Sequence, residues 1–262
     1  MNVAYYHTYL TENPAVWLHV VMDQFKCMED SKLFDNLDEF NITCIVGNQN
    51  NANNFKELVG LYYPKSNIDF VESPFRSDED MLGNITTGGS KTINENYTTQ
   101  KIYERSKTED MKVLYFHSKG ITSVYKHVLG KQGEMEEYRR YQYWRHFLNW
   151  GVLEKWKTCV DALDTFDVAG CNYFDYPSPH FSGTFWWSKS DHIKTLPSPS
   201  STEWWETLKS RVTDPWMRQA PLRFRDEHWV FYKPNIKIYQ VKSVKEHSNP
   251  ANVYVPRKLY EG

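Results

Sequence analysis

The sequence predicts an α/β fold in which helices flank a mostly parallel central sheet. Short apolar runs rich in β-forming residues, such as Val113–Phe116, alternate with longer segments whose apolar residues recur near helical spacing. The opening order of strand, helix, strand, helix, strand is typical of parallel sheets with right-handed crossovers. A chain of 262 residues is long enough for one large domain of this class with a full core.

Three short strands are predicted in the first third of the chain, and helices connect them. The strands are Asn2–Tyr6, Asn41–Val46 and Ile68–Glu72. The first helix is predicted to begin at Pro14, because proline is favoured in the first turn of a helix. A second, shorter helix is predicted over Phe55–Tyr62, and residues 93–107 are predicted to form the helix that leads to the fourth strand.

The segment Lys112–Gly120, KVLYFHSKG, is the centre of the predicted fold. Its apolar run indicates a buried strand, which breaks abruptly into four residues with hydrogen-bonding groups, a charge and backbone freedom. Ligands of open α/β sheets bind outside the carboxyl ends of the strands, so we expect the floor of a binding site here. The same residues also fit an ordinary polar loop with a turn glycine, and both interpretations stay open at this point.

The second half of the chain continues the alternation. Residues 121–133 are predicted to form a polar loop, and Glu134–Phe166 to form the longest helical region, with a break at Gly151. The later elements are strands Asp167–Phe174 and Phe181–Lys189, helices Trp204–Arg211 and Arg225–Tyr232, and strand Ile236–Val241. We expect one domain over residues 1–240 and a tail, residues 241–262, packed on it or extending from it.

Composition argues against several classes of function. The net charge of −2 provides no basic field for binding nucleic acid. The four cysteines form no C-x-x-C pair, which argues against a zinc site or a disulfide framework and favours a reducing compartment. No run approaches the roughly 18–20 apolar residues of a membrane span, and the N-terminus does not resemble a signal peptide, so we expect a soluble cytoplasmic protein. The aromatic content of 16% fits a thick core or a site for ring-shaped ligands such as sugars.

Three segments carry a family resemblance: YFHSKG (Tyr115–Gly120), CNYFDYPSPHFSGTFWWSK (Cys171–Lys189) and RDEHW (Arg225–Trp229). Together they resemble nucleotide-sugar glycosyltransferases of the GT-A type, and more closely the transferase domains of bacterial polysaccharide loci and large DNA viruses. The resemblance implies one Rossmann-like GT-A domain and a hexosyl-, deoxyhexosyl- or pentosyltransferase. Such an enzyme moves a sugar from a UDP-linked donor to a hydroxyl of a glycan acceptor. The resemblance favours inversion, although retention also occurs on this scaffold.

The resemblance also raises the question of a metal. In the wider GT-A fold, a D-x-D motif at the end of the central strand holds a divalent cation against the donor diphosphate. This chain has His117, Ser118 and Lys119 there, so both Mn²⁺ or Mg²⁺ dependence and a metal-independent mechanism stay open. Lys119 is a cation that can offset the diphosphate charge. His117 and Ser118 add hydrogen-bond donors, and Gly120 allows the backbone to approach the phosphates.

The only literal D-x-D in the chain is Asp78-Glu79-Asp80. Asp78 and Asp80 are weak metal candidates, because carboxylate oxygens suit Mg²⁺ or Mn²⁺ but the motif stands in a polar loop well before the central strand. A solvated acidic turn is the favoured interpretation.

The remaining donor residues follow from the resemblance. It implies that the nucleotide base and ribose lie at the end of the first strand, where Tyr5, Tyr6 and His7 stand, with a tyrosine stacked on the base. Arg105 and Lys101, on the helix that leads to the central strand, are candidate partners of the pyrophosphate.

The SGTFWW segment is expected to line the sugar. Gly183 would let a sugar lie close to the backbone, and Trp186 or Trp187 would supply a stacking face. Strand alternation puts only one of the two tryptophans on the site side. Asp175 and His180 are candidates for binding sugar hydroxyls, although Asp175 also fits a simple turn.

Asp226 and Glu227 match the position of the catalytic carboxylate in inverting GT-A enzymes. Inverting transfer needs a base for the acceptor hydroxyl and a cation or donors for the departing diphosphate. Adjacent helical residues point about 100° apart, so the sequence does not decide which carboxylate is the base. The pair also fits the acidic first turn of a helix.

One rival function remains, a non-catalytic, lectin-like protein that binds carbohydrate through its aromatic residues. The strand that ends in His-Ser-Lys-Gly favours the transferase, because a lectin has no need of it.

Overall fold

The computed structural model describes residues 1–75, 77–80, 95–128, 130, 134–220, 224–244 and 254–261. Within these residues, nine strands occur. They are β1 (Asn2–Leu10), β2 (Glu39–Val46), β3 (Asn67–Glu72), β4 (Lys112–His117), β5 (Val168–Gly170), β6 (Tyr173–Phe174), β7 (His180–Phe181), β8 (Trp186–Lys189) and β9 (Ile238–Gln240).

Seven of these strands form one sheet in the order β3-β2-β1-β4-β8-β5-β9. Strand β8 runs antiparallel to both of its neighbours, and the other neighbouring pairs are parallel. Strands β6 and β7 form a separate antiparallel pair. The predicted α/β class with a mostly parallel central sheet is confirmed.

Helices flank the sheet. They are α1 (Pro14–Asp30), α2 (Gln49–Tyr62), α3 (Asn96–Ser106), α4 (Ile121–Val128), α5 (Glu134–Asn149), α6 (Trp156–Ala162), α7 (Ser190–Ile193), α8 (Glu203–Arg211), α9 (Pro215–Arg218) and α10 (Arg225–Trp229). Short 3₁₀ turns cover Phe34–Asn36 and Arg257–Leu259. Among the described helices, none combines the length and apolarity needed to cross a membrane.

Alternation along the strands divides the interior into two cores, one on each face of the sheet. Ala4 and Tyr6 of β1 belong to the first core, and Val3 and Tyr5 belong to the second. Helices α1, α2 and α4–α6 contribute to the first core, and α3 and α7–α10 contribute to the second. Both faces of the central strands are therefore covered.

Several predicted boundaries were wrong. The first strand extends to Leu10, which places Tyr5, Tyr6 and His7 inside it and not at its end. The predicted strand 167–174 divides into β5 and β6, because Asn172 between them has a φ of 58°. The predicted strand 181–189 divides into β7 and β8 around Gly183, whose φ is 99°.

Two helical predictions also changed. Residues Ile121–Val128, expected in a loop, form α4. At the break predicted for Gly151, the chain makes a π-helical turn over Trp150–Glu154. A Cβ on Gly151 would lie 2.6 Å from the Cys171 sulfur, so the close approach of this turn to Cys171, just after β5, requires glycine.

The C-terminal residues pack against the first core. Val255 and Tyr260 are buried there, and the Arg257 guanidinium pairs with Glu154 at 2.7 Å. The Tyr260 ring lies 5.0 Å from the rings of both Phe147 and Trp150. Residues 254–261 therefore contribute to the same core as the central sheet.

Candidate active site

The site is built at the carboxyl end of the central strand β4. His117 ends this strand and lies beside His7 of the parallel strand β1. The Ser118 backbone N–H donates to the His7 carbonyl at 3.0 Å, which continues the pairing into the loop. His117 Nε2 donates to the Gly183 carbonyl at 3.0 Å. His117 and Gly183 are 66 positions apart in the sequence, so this hydrogen bond brings the HSKG and SGTFWW segments together.

A carboxyl group that sequence reasoning missed lies at the centre of the site. Glu95, just before α3, accepts a hydrogen bond from the Tyr115 hydroxyl at 2.9 Å. Its other oxygen lies 3.7 Å from His117 Nε2. Burial raises the pKa of Glu95, although His7 and Lys119 act in the opposite direction. Glu95 thus links the end of β4 to the start of α3.

Both histidines of the site are neutral at pH 7. Burial, reinforced by the charge of Lys119, lowers the pKa of His117 to about 3. Burial also lowers the pKa of His7 to about 4, although Glu95 partly offsets it. The His7 ring is fixed by a hydrogen bond of 2.9 Å between Nδ1 and the hydroxyl of Thr98. These rings therefore act as neutral hydrogen-bonding groups.

The two adjacent carboxylates of α10 lie in different environments. Asp226 is 2% exposed, and neither of its oxygens has a hydrogen-bond partner of normal geometry among the described residues, although the Asn96 backbone N–H lies close enough to favour the charged form. Burial raises the pKa of Asp226 well above its usual range, and the charge of Glu95 adds to this. Glu227 is only half-buried, and its charge acts on His117. Burial therefore favours the protonated form of Asp226, whereas Glu227 is partly exposed at the edge of the site.

Lys119 lies at the same edge. Its ammonium nitrogen is 4.1 Å from the centre of the Trp144 ring, and its carbonyl accepts a hydrogen bond from Arg145 Nη1 at 3.2 Å. The next residue, Gly120, has a φ of 83°, where a side chain would be strained. Lys119, Glu95, His117 and Glu227 thus form one electrostatic cluster.

Comparison with known proteins places the chain in a family. A family model described as a domain of unknown function, DUF8361, matches residues 5–250. The chain belongs to the DUF8361 family. No curated protein matches the chain by sequence.

Solved structures also show similarity to this DUF8361 chain. One of them is 4-diphosphocytidyl-2C-methyl-D-erythritol synthase from Anaerococcus prevotii DSM 20548, at 11% identity and a TM-score of 0.38, with 98% of this chain and 94% of that chain covered. The site geometry, and not this likeness, carries the function proposed for the DUF8361 chain.

The structure does not support the predicted stacking tyrosines of the DUF8361 chain. Tyr6 is fully buried in the first core, and its hydroxyl donates to Gln24 Oε1 at 2.8 Å. Tyr5 is buried in the second core, and Arg105 donates to its hydroxyl at 3.4 Å. The Tyr6 ring therefore presents no face to a nucleotide base, and Tyr5 lines a cavity of about 720 Å³ beside Lys101 and Arg105 and not the Lys119 loop.

Arg105 and Lys101 were also misplaced by sequence reasoning. Arg105 is held between Glu39 at 2.6 Å and Glu109 at 2.7 Å. These residues lie at the amino ends of β2 and β4, at the opposite edge of the sheet from His117. Lys101 pairs with Asp69 of β3. Neither cation faces the Lys119 loop, so neither serves there as a pyrophosphate partner.

The two tryptophans of SGTFWW point to opposite faces of the sheet, as alternation predicts, but both are core residues. Trp187 is buried and donates from Nε1 to the Val152 carbonyl at 2.9 Å. Trp186 is buried with its ring 5.3 Å from that of Tyr115. The expectation that one of them offers a stacking face was therefore wrong.

Packing against α5 explains why residue 183 is a glycine. A Cβ at this position would lie 2.5 Å from Leu148 Cδ1, so the space that was expected for a sugar is filled by α5. The carbonyl of the same residue binds His117. The glycine is required for packing and for holding the end of β4.

The loop between β6 and β7 carries the other predicted acceptor residues. Asp175 is exposed, and the half-buried His180 stacks on Phe174 with ring centres 5.6 Å apart. His228 of α10 lies 4.9 Å from the His180 ring and 3.3 Å from the Pro179 carbonyl. The loop therefore rests on the helix that carries Glu227, and the roles of Asp175 and His180 stay predictions.

Asp78 serves to anchor a loop. It is 2% exposed, and its Oδ2 accepts a hydrogen bond from the Glu12 backbone N–H at 2.8 Å, next to the start of α1. Asp80, in the same turn, donates from its backbone N–H to the Ser77 hydroxyl oxygen at 3.2 Å. Within the part of the chain that the structure describes, no group of three or more His, Cys, Asp and Glu side chains could hold a metal.

Replacing Asp78 by asparagine is expected to stabilise the protein at neutral pH. Burial raises the pKa of Asp78 to about 6, although the Glu12 N–H opposes this. The folded state therefore favours the protonated carboxyl, and stability is lost as pH rises from about 4 through 6. Asparagine keeps an acceptor for Glu12 and carries no charge.

Thermal unfolding between pH 4 and pH 8 measures this effect. We expect the Asp78→Asn variant to melt about 5 °C higher at pH 7 and the difference to shrink towards pH 4. The exposed neighbour Glu79 provides a matched control, since Glu79→Gln removes one charge from the same turn. A pH-independent difference would contradict the assignment.

Proposed function

We propose that the chain is a glycosyltransferase that moves a sugar from a nucleotide-linked donor to a hydroxyl of a glycan. The observation that carries this proposal is the carboxyl end of β4, where Lys119 follows two residues after His117 and the charges of Lys119 and Glu227 both act on the His117 ring. Glycosyl transfer needs a cation where diphosphate charge develops and a base where the acceptor loses its proton. This edge of the sheet offers both.

Glu227 is the proposed base. A base must reach the acceptor hydroxyl, and Glu227 is half-buried at the edge of the site. Asp226 is buried, and burial raises its pKa and so favours the protonated form, which cannot take up the proton of the acceptor. In the proposed step, the acceptor oxygen bonds to the anomeric carbon and gives its proton to Glu227. The bond from that carbon to the diphosphate breaks, and its electron pair leaves with the diphosphate beside Lys119.

Inversion follows if this step is a single displacement, because the acceptor attacks the face opposite to the leaving diphosphate. A UDP-linked donor is proposed from the resemblance of the HSKG and SGTFWW segments to GT-A transferases. Thermal unfolding with and without a divalent cation decides whether nucleotide binding depends on Mn²⁺ or Mg²⁺.

Thermal unfolding with UDP, GDP and CMP, each with Mn²⁺ or with chelator, tests the proposal. A nucleotide at about 100 times its Kd adds about 2.7 kcal/mol of stability. We expect one nucleotide to stabilise the protein, and persistence in chelator would assign the diphosphate charge to Lys119. A response to free glycans with none to nucleotides would favour the lectin-like function instead.

The variant Lys119→Met is expected to weaken binding of that nucleotide by about 10-fold or more, because a charge-assisted contact is lost. Methionine keeps the apolar part of the side chain on Trp144. Lys26→Ala is the matched control, since Lys26 is an exposed lysine of α1 that pairs with Asp30. Equal affinity in wild type and Lys119→Met would contradict the role of Lys119.

A further inference from the structure

One aromatic ring joins the two segments that form the site. Trp144 of α5 is 6% exposed, and the Lys119 ammonium lies 4.1 Å from the centre of its ring. On the other segment, a Cβ at Gly183 would lie 3.4 Å from Trp144 Cζ2. The ring therefore fills the space between the Lys119 loop and the Gly183 turn.

The next residue of α5 fixes the main chain of the same loop. Arg145 is 0% exposed and donates from Nη1 to the Lys119 carbonyl at 3.2 Å. Its other nitrogens donate to Asp23 at 2.9 Å and to Gln142 at 2.7 Å. With the backbone held in this way, the freedom that remains to Lys119 is that of its side chain.

The contact to Trp144 restricts that freedom without neutralising the charge. A lysine side chain is flexible, and a fixed ammonium usually pairs with a carboxylate. Among the described residues, no carboxylate lies within 4.0 Å of the Lys119 ammonium, whereas the other site cation, Arg145, pairs with Asp23. An aromatic face attracts a cation through its quadrupole and leaves the full positive charge available to an incoming anion.

We propose that Trp144 is a positioning residue that holds the Lys119 ammonium where it binds the diphosphate of the nucleotide donor. This inference rests on the proposed function. Trp144 acts only through Lys119, so its effect should appear with ligands that carry a diphosphate and should be absent with a nucleoside alone.

Titration calorimetry with UDP, inorganic pyrophosphate and uridine tests this inference. We expect Trp144→Leu to weaken binding of UDP and pyrophosphate by about 5- to 30-fold and to leave uridine binding unchanged. Trp144→Phe keeps an aromatic face and a similar shape, so an intermediate loss is expected. Trp156→Leu is the matched control, because Trp156 is equally buried and lies under a lysine, Lys157, on α6.

A double-mutant cycle with Lys119→Met separates positioning from a general loss of structure. If Trp144 acts through Lys119, Trp144→Leu has no further effect on pyrophosphate binding in the Lys119→Met protein. An equal loss in both backgrounds, or unchanged binding in Trp144→Phe and Trp144→Leu, would overturn the positioning role while the proposed function stands. A wild-type protein that binds neither UDP nor pyrophosphate would overturn both.

Discussion

Replacing Glu227 by glutamine is expected to lower turnover of the nucleotide sugar by about 10²- to 10⁴-fold, the usual contribution of a positioned base. Glutamine has nearly the same shape but cannot accept the proton of the acceptor hydroxyl. Donor binding should stay close to that of the wild type, because the diphosphate contacts are assigned to Lys119. The expected signature is therefore a fall in kcat with little change in donor affinity.

The adjacent carboxyl provides the control for this experiment. Burial favours the protonated form of Asp226, and Asp226→Asn replaces that form by a neutral group of similar shape. We expect this variant to keep most of its turnover, measured as release of nucleoside diphosphate in the presence of an oligosaccharide mixture. A reversed pattern would assign the base to Asp226, and full activity in both variants would contradict the mechanism.

The second large effect is expected from Asp23→Asn, which should lower the free energy of unfolding by about 3–5 kcal/mol. The guanidinium of Arg145 is 0% exposed, and Asp23 is its carboxylate partner at 2.9 Å. Without that partner, Arg145 becomes a buried charge with no counter-charge. Chemical denaturation measures the loss, and Asp30→Asn, which breaks the exposed pair with Lys26, should change stability by less than about 1 kcal/mol.

The pH dependence of stability gives an independent check on the Asp23–Arg145 pair. Burial alone would raise the pKa of Asp23, but the hydrogen bond from His146 and the charge of Arg145 outweigh it and lower the pKa to about 2. The stabilisation is therefore present above about pH 4 and is lost as pH falls through 2. The difference between wild type and Asp23→Asn should shrink over that range.

Replacing both Asp23 and Arg145 tests whether the unpaired charge causes the loss of stability. Because paired buried charges can be exchanged for apolar groups at little cost, Asp23→Leu combined with Arg145→Met should recover much of the stability. Stability as low as that of the single variant would attribute the loss to packing and not to the unpaired charge.

Local sequence patterns predicted the fold class and the buried strand that ends at His117, and their limits have physical causes. The apolar run before His117 and the alternation along the strands depend on neighbouring residues, so they can be recognised in the sequence. Whether a side chain on a strand faces a ligand depends on what covers that face. Trp186 and Trp187 were correctly predicted to point in opposite directions, yet helices cover both.

The same limit explains the residues that were missed or left undecided. Glu95 follows a segment without a helix or strand pattern, and its contacts to Tyr115 and His117 form only in the folded chain. Asp226 and Glu227 are equivalent in the sequence and differ in burial, which is a tertiary property. Trp144 and Arg145 read as ordinary members of a long helix, because their partners lie far away in the chain.

The antiparallel strand β8 between β4 and β5 has a consequence for the order of folding. During synthesis, β1 to β4 leave the ribosome before β8, so β4 is at first an edge strand with one row of unpaired backbone groups. Its pairing with β8 and the hydrogen bond from His117 to Gly183 both require the later half of the chain. A nascent chain that ends after Gly120 therefore contains His117, Ser118 and Lys119 but not the Gly183 turn that holds His117, so the candidate site is complete only after β8 has closed the sheet.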